Sequence, residues 1–129
     1  MIKLLKKIKY SFKNVDYGHY IYHGTNIDAA ISIQNDKYIK PFTNDDNDKP
    51  VVSFTNDFDN AIHYANLKGK KMVILRTSIN DKNFYLSPSN KYDHGNEFIS
   101  YNKIPIDNVE VLINSERWIP LKEWKLNEH

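Results

Sequence analysis

The clearest local structure in this sequence is a strand followed by a capped helix, between residues 51 and 69. The run Val51–Phe54 is apolar except for Ser53 and begins with two β-branched valines, which is typical of a strand. Asn56 or Asp57 then provides a helix cap, and Gly69 provides a stop. Between cap and stop, apolar residues recur at the helical period, at Phe58, Ala61, Ile62 and Ala65. A strand and a helix joined so closely indicate a fold that mixes the two.

A similar unit precedes this one, and shorter strands surround the pair. Residues Tyr20–Tyr22 predict a strand that stops at His23-Gly24, and Asn26 predicts the cap of a helix that ends near Asn35. The other predicted strands are Tyr38–Ile39, Met72–Leu75, Phe84–Leu86, Glu97–Tyr101 and Val109–Ile113. We therefore predict an α+β fold, with two small, packed antiparallel-type sheets and flanking helices.

The length and composition fit a single domain over residues 1–129. Apolar residues make up 40% of the chain and charged residues 26%, which is the balance of an ordinary globular protein. The chain has no cysteine, which excludes a disulfide framework, a thiolate zinc site and a cysteine nucleophile. A net charge of +2 is too small to indicate a dedicated nucleic-acid surface.

Residues 1–16 predict a basic amphipathic helix. Ile2, Leu5, Ile8 and Phe12 recur at helical spacing, with lysines between them. The lysines interrupt any apolar core of a secretory signal, and no stretch of the sequence approaches the length that crosses a membrane. We therefore expect a monomer without a membrane partner, located in the cytoplasm of the producing or the target cell.

Three short polar segments stand where the predicted strands begin or end. The first is Tyr22–Thr25 (Tyr-His-Gly-Thr), the second is Ser53–Thr55 (Ser-Phe-Thr), and the third is Glu97, which opens an apolar run. Because each segment belongs to a different predicted element, three elements can deliver a histidine, a serine and a glutamate to one cleft. This convergence is the main functional prediction from the residues themselves.

Each of these residues offers one kind of contact to a ligand. The backbone N–H and C=O of Gly24 can pair with a carboxamide, and His23 can bond a ribose hydroxyl. Tyr64 falls on the predicted helix eleven residues after Ser53, where its ring can stack on a flat ring. A carboxylate such as that of Glu97 can stabilise the cation that develops on a sugar when a glycosidic bond breaks.

The order and spacing of these motifs resemble the ADP-ribosyltransferase family, in its His-type branch, over roughly residues 20–113. The resemblance implies that NAD is the co-substrate and that Glu97, His23 and Ser53 form the catalytic set. It also implies NAD contacts from an overlapping group: His23, Gly24, Thr25, Ser53, Phe54 and Tyr64. The implied activity is mono-ADP-ribosyl transfer from NAD to an intracellular macromolecule, as in a toxin or a phage effector.

The sequence departs from this family at two positions. Ser53 stands where the branch usually has Tyr, and Gly95 stands where arginine- or asparagine-modifying members have Glu or Gln. We therefore expect an acceptor other than arginine, while the choice between a protein and a nucleic acid stays open. Two other functions also fit: a rifamycin-type transferase that modifies a small molecule, and a catalytically silent module that binds NAD or a protein. The histidines show no paired metal-ligand spacing, so no metal site is predicted.

Overall fold

The structure is a computed structural model that describes residues 19–42, 49–79, 84–87 and 95–125. The predicted N-terminal helix, residues 1–16, lies outside the described residues. The two α-helices of the described part are α1 (Ile27–Asp36) and α2 (Phe58–Leu67). Its nine strands are β1 (Tyr20–Asn26), β2 (Tyr38–Ile39), β3 (Val52–Thr55), β4 (Met72–Ser78), β5 (Tyr85–Leu86), β6 (Glu97–Ser100), β7 (Ile104–Pro105), β8 (Glu110–Ile113) and β9 (Arg117–Pro120).

The strands form one large sheet and one small sheet. The large sheet has seven strands in the order β5-β6-β3-β1-β4-β8-β9, and β2 pairs with β7 in the small sheet. All of these pairings are antiparallel. The α+β prediction with flanking helices is confirmed, but one sheet is large where two small ones were expected. The pattern of a short segment predicts that it forms a strand. It does not predict which other strands pair with it, so the number and size of the sheets could not be predicted.

Strand β1 is longer than its sequence pattern indicated. It pairs with β4 along its whole length, from Tyr20 opposite Ser78 to Asn26 opposite Met72. The expectation that the strand stops at His23-Gly24 is therefore wrong, because pairing with β4 holds these residues extended. On its other side, β1 pairs with β3 only at Tyr22 opposite Thr55. Beyond that position the two strands separate within the sheet.

Both predicted helix caps are present. The Asn26 side chain accepts a hydrogen bond from the Ala29 N–H at 2.9 Å, and α1 ends at Lys37, whose φ of 69° is left-handed. The Asp57 side chain accepts from the Asp59 N–H at 3.1 Å and begins α2. These short-range bonds set where the helices begin, as the sequence predicted.

The main apolar core lies between the large sheet and the elements that cover one of its faces. Phe54, Phe84 and Phe98 are its largest fully buried side chains. Ile39 of β2 and Ile104 of β7 belong to the same cluster, so the small sheet packs on the large one. A second, smaller cluster lies under α2 and centres on Ala61, Ala65 and Ile74. Within the described residues, no helix combines the length and the apolar character needed to cross a membrane.

Candidate functional site

A cleft of about 760 Å³ opens where β1 and β3 separate. Residues of β1, β3, α1, β2 and α2 line it. A volume of this size is typical of a small-molecule or cofactor site. Five of the predicted site residues line the cleft: His23, Gly24, Thr25, Ser53 and Tyr64.

His23 is fixed in the cleft by its neighbour on β3. Its Nδ1 lies 2.8 Å from the backbone carbonyl oxygen of Ser53. Because a carbonyl can only accept, Nδ1 carries the proton and donates, which leaves Nε2 as an acceptor in the neutral ring. Burial, together with the nearby positive charge of Lys68, lowers the pKa of His23 to about 4, although the bond to Ser53 opposes this shift. The ring is therefore neutral at neutral pH and can accept a hydrogen bond from a hydroxyl.

Ser53 connects this histidine to Glu97. The Ser53 hydroxyl donates to Oε2 of Glu97 at a distance of 2.5 Å. Ser53 lies opposite Ile99 in the β3–β6 pair, so Glu97 is its diagonal neighbour on the same face of the sheet. One serine residue thus separates the imidazole from the carboxylate, and covalent geometry places the two groups within about 10 Å of each other.

Glu97 is buried, with only 1% of its surface exposed. It is not among the residues that line the cleft, and its carboxylate lies behind the Ser53 hydroxyl. The structure therefore brings Glu97 to the site through Ser53 and not by direct exposure. A buried carboxylate requires hydrogen-bond partners, and the serine hydroxyl is one of them.

Gly24 lies where α2 crosses β1. A Cβ atom at this position would stand 2.0 Å from the backbone oxygen of Ala61, so helix packing by itself requires glycine. The Gly24 carbonyl oxygen accepts a hydrogen bond from Nζ of Lys68 at 2.8 Å. The carbonyl that was predicted to receive a carboxamide is thus already bonded to an ammonium group.

Tyr64 and Lys68 form the α2 side of the cleft. Nζ of Lys68 lies 5.8 Å from the centroid of the Tyr64 ring. Sequence reasoning identified Tyr64 but missed Lys68. The spacing in the sequence could have indicated Lys68, because a residue four positions after Tyr64 lies on the same helical face.

Phe54 is placed differently from the other predicted contacts. Its side chain is buried in the main core, where its ring centroid lies 5.2 Å from that of Phe84. It does not line the cleft. Its ring centroid lies 5.4 Å from that of His23, so Phe54 supports the histidine from behind. Alternation along β3 turns the Phe54 side chain to the face opposite Ser53, where it joins the main core.

Gly95 has a packing role of its own. Its φ is 73°, and a Cβ atom there would lie 2.8 Å from Cβ of Asp57. The next residue, Asn96, donates its N–H to the side chain of Asn56 at 2.7 Å. This close contact beside the N-terminal end of α2 favours glycine at position 95 for packing reasons alone. Residues 88–94, which precede Gly95, fall in a part of the chain that the structure does not describe.

In the residues that the structure describes, no group of three or more His, Cys, Asp or Glu side chains is arranged to hold a metal ion. In comparisons with known proteins, no family model matches this chain, and no curated protein sequence matches it.

Proposed function

We propose that this protein binds NAD in the cleft and transfers its ADP-ribose group to an intracellular macromolecule. The observation that carries the proposal is the series His23, Ser53 and Glu97. Two hydrogen bonds join these residues across the neighbouring strands β1, β3 and β6, at 2.8 Å and 2.5 Å. The same three residues form the catalytic set that the family resemblance implies.

Each part of the nicotinamide riboside has a chemical match in the cleft. The Gly24 carbonyl oxygen can accept a hydrogen bond from the NH₂ of the carboxamide. The unprotonated Nε2 of His23 can accept one from a ribose hydroxyl. The Tyr64 ring suits the face of the nicotinamide ring, where stacking contributes about 1 kcal/mol. At about 760 Å³, the cleft is large enough for such a group.

In the proposed reaction, the bond between nicotinamide N1 and ribose C1′ breaks. Its electron pair leaves with nicotinamide, which becomes neutral, and the positive charge moves to the ribose. An acceptor nucleophile then bonds to C1′ and releases its proton. The negative charge of Glu97 stabilises the developing cation.

Ser53 lies between Glu97 and the cleft and extends the electrostatic effect of the carboxylate to a ligand there. Because its hydroxyl proton points to the carboxylate, the lone pairs of Oγ are available as acceptors, and the adjacent charge makes them stronger ones. A ribose hydroxyl that donates to Ser53 Oγ is thereby coupled to Glu97. This arrangement gives a buried carboxylate a route to the reacting sugar.

One observation favours a second function, a catalytically silent module that binds NAD or a protein. Glu97 does not line the cleft. If Ser53 keeps the carboxylate behind it when NAD is bound, the cation loses direct stabilisation. The cleft would then bind the dinucleotide without cleaving it.

The deciding experiment incubates the protein with NAD labelled in its adenylate phosphate and a cell lysate. Label that remains on macromolecules and is removed by protease or by nuclease supports transfer and identifies the acceptor class. Label released as free ADP-ribose indicates a hydrolase. Intact NAD that binds to the protein supports the silent NAD-binding module, and the absence of NAD binding contradicts transfer, hydrolysis and that module alike.

A further inference from the structure

Three consecutive polar residues, Thr55–Asp57, join β3 to α2, and their side chains bond in different directions. The Thr55 hydroxyl accepts from the Asp57 N–H at 3.1 Å and makes the turn. The Asp57 side chain accepts from the Asp59 N–H and caps the helix. The side chain of Asn56 instead bonds across to the residue before β6. Thr55 and Asp57 thus make the turn and the cap, whereas Asn56 connects the turn to β6.

Asn56 and Asn96 exchange two hydrogen bonds just beyond the paired residues of β3 and β6. The Asn56 N–H donates to the Asn96 carbonyl oxygen at 3.3 Å, as in an antiparallel ladder. The return bond runs from the Asn96 N–H to the side-chain Oδ1 of Asn56 at 2.7 Å. In a continued ladder a backbone carbonyl would accept this bond, but the chain turns here to begin α2. The side chain of Asn56 therefore replaces the backbone acceptor.

This additional pair lies directly beside Glu97. Thr55 opposite Glu97 is the last register position of the β3–β6 pair, and Asn56 with Asn96 comes next. The end of a strand ladder opens more easily than its interior. Because the pair of asparagines follows it, Glu97 occupies an interior position and keeps the register that brings its carboxylate to Ser53.

Gly95 leaves the space that the side chain of Asn56 needs. A Cβ atom at position 95 would lie 2.9 Å from Oδ1 of Asn56, which is the atom that accepts from Asn96. A larger residue at position 95 would therefore push the amide of Asn56 away from its partner. The glycine and the two asparagines form one local arrangement at the start of β6.

We propose that Asn56 is a positioning residue for ADP-ribosyl transfer: through Asn96 it holds the start of β6 so that Glu97 meets Ser53. The inference rests on the proposed function, because it assigns Asn56 to the same reaction. Asn56 is not among the residues that line the cleft. Its effect therefore falls on Glu97 and not on the contacts with NAD.

The test compares Asn56→Leu, which removes the acceptor at a similar size, with Asn56→Asp, which keeps an acceptor oxygen. Calorimetry measures NAD affinity, and single-turnover transfer of label measures the reaction. We expect Asn56→Leu to bind NAD as the wild type does and to transfer ADP-ribose up to about 10²-fold more slowly, because a small displacement of a catalytic group lowers the rate this much. Asn56→Asp should restore most of the rate.

A double variant separates positioning from a general loss of structure. If Asn56 acts through the carboxylate of Glu97, it has no charge to position in Glu97→Gln. Adding Asn56→Leu to Glu97→Gln should therefore cause little further loss of the residual transfer rate. A general loss of structure would instead slow transfer by the same factor in both backgrounds.

Hydrogen exchange provides a measurement that does not depend on activity. The amide of Asn96 should exchange about fivefold faster in Asn56→Leu than in the wild type, because its acceptor is gone. Asn56→Asp should protect this amide as the wild type does.

Gln34→Leu is the matched control for lost stability. Gln34 donates to the backbone oxygens of Leu121 and Trp124 at 2.9 Å and 2.6 Å, and these bonds involve neither β3 nor β6. Its substitution should destabilise the fold and leave the transfer rate unchanged at a temperature where all variants are folded. If Asn56→Leu does not fold, Asn56→Ala is measured in its place with the same expectations.

Three results would each overturn the inference and leave the proposed function standing, provided that the wild type transfers ADP-ribose. These are a wild-type rate in Asn56→Leu, an equal slowing in the Glu97→Gln background, and a slow Asn56→Asp. A parallel loss of NAD affinity in Asn56→Leu would also overturn it. A wild type that neither binds NAD nor transfers ADP-ribose would contradict the proposed function, and the inference with it.

Discussion

The Ser53 hydroxyl donates to the Glu97 carboxylate across the β3–β6 strand pair, with 2.5 Å between Oγ and Oε2. Because Ser53 lines the cleft, this bond links a cleft-lining residue to the buried glutamate. The two residues therefore act together in the predictions below.

Glu97→Gln is expected to retain NAD binding and to lose ADP-ribosyl transfer. Glutamine is nearly the same size and can still bond Ser53, but it lacks the charge that stabilises a ribose cation. Loss of one such electrostatic contribution typically lowers the rate about 10²-fold to 10³-fold. Calorimetry and single-turnover transfer of label measure the two effects separately. Glu116→Gln, at an exposed position, is the matched control, and a wild-type rate in Glu97→Gln would remove Glu97 from the mechanism.

Tyr64→Ala is expected to weaken NAD binding about fivefold, which corresponds to about 1 kcal/mol of lost stacking. Tyr64→Phe keeps the ring and should bind NAD as the wild type does. Titration calorimetry of both variants tests the role of the ring. Equal affinities for Tyr64→Ala and the wild type would show that the nicotinamide ring stacks elsewhere.

His23 is expected to make the stability of the fold depend on pH. Its pKa is about 4 in the folded protein and 6.5 in the unfolded chain. Above pH 6.5 both states are neutral, and the full stability is present. As the pH falls from 6.5 towards 4, the unfolded chain takes up a proton that the folded protein does not, so stability falls by up to about 3 kcal/mol in total.

Urea unfolding measured across this pH range tests the contribution of His23. His23→Gln should show a flatter dependence than the wild type, and the difference between the two curves isolates this residue from the carboxylates. His63→Gln is the control, because His63 is exposed on α2 and its ring stays in water on folding. Parallel curves for His23→Gln and the wild type would contradict the assignment.

Gly24→Ala is expected to destabilise the fold by about 3 kcal/mol or more, because the new Cβ meets the backbone of α2. The nearest atom is the Ala61 oxygen at 2.0 Å, which cannot move without the helix. Gly69→Ala is a useful comparison, since its Cβ meets nothing within 4 Å and only its φ of 68° is unfavourable. We expect that change to cost about 1 kcal/mol in the free energy of unfolding. Similar losses for the two variants would argue against the close packing of α2 on β1.

The acceptor is expected to be something other than arginine. Gly95 carries no group that could orient a guanidinium, and packing against Asp57 excludes a larger residue there in this arrangement. Mass spectrometry of the labelled products locates the ADP-ribose. Arginine as the major site would show that another part of the cleft orients the acceptor.

Much of the local structure could be predicted because it depends on short-range interactions. Asn26 and Asp57 cap their helices with bonds to residues two or three positions away, and such bonds are visible in the sequence. Strand β9 (Arg117–Pro120) was not predicted, because its pattern is weak and its pairing with β8 holds it extended. The candidate residues were located on the correct elements, although His23 and Gly24 lie within β1 and not at its end.

The sequence by itself determined the caps, most strand positions and the residue types available for chemistry. Only the tertiary structure decided that Glu97 is buried behind Ser53, that Phe54 belongs to the core, and that Lys68 contacts Gly24. Strand order and helix packing produce each of these contacts and bury these side chains. They depend on contacts between distant parts of the chain, and no local pattern of side chains specifies which strands become neighbours.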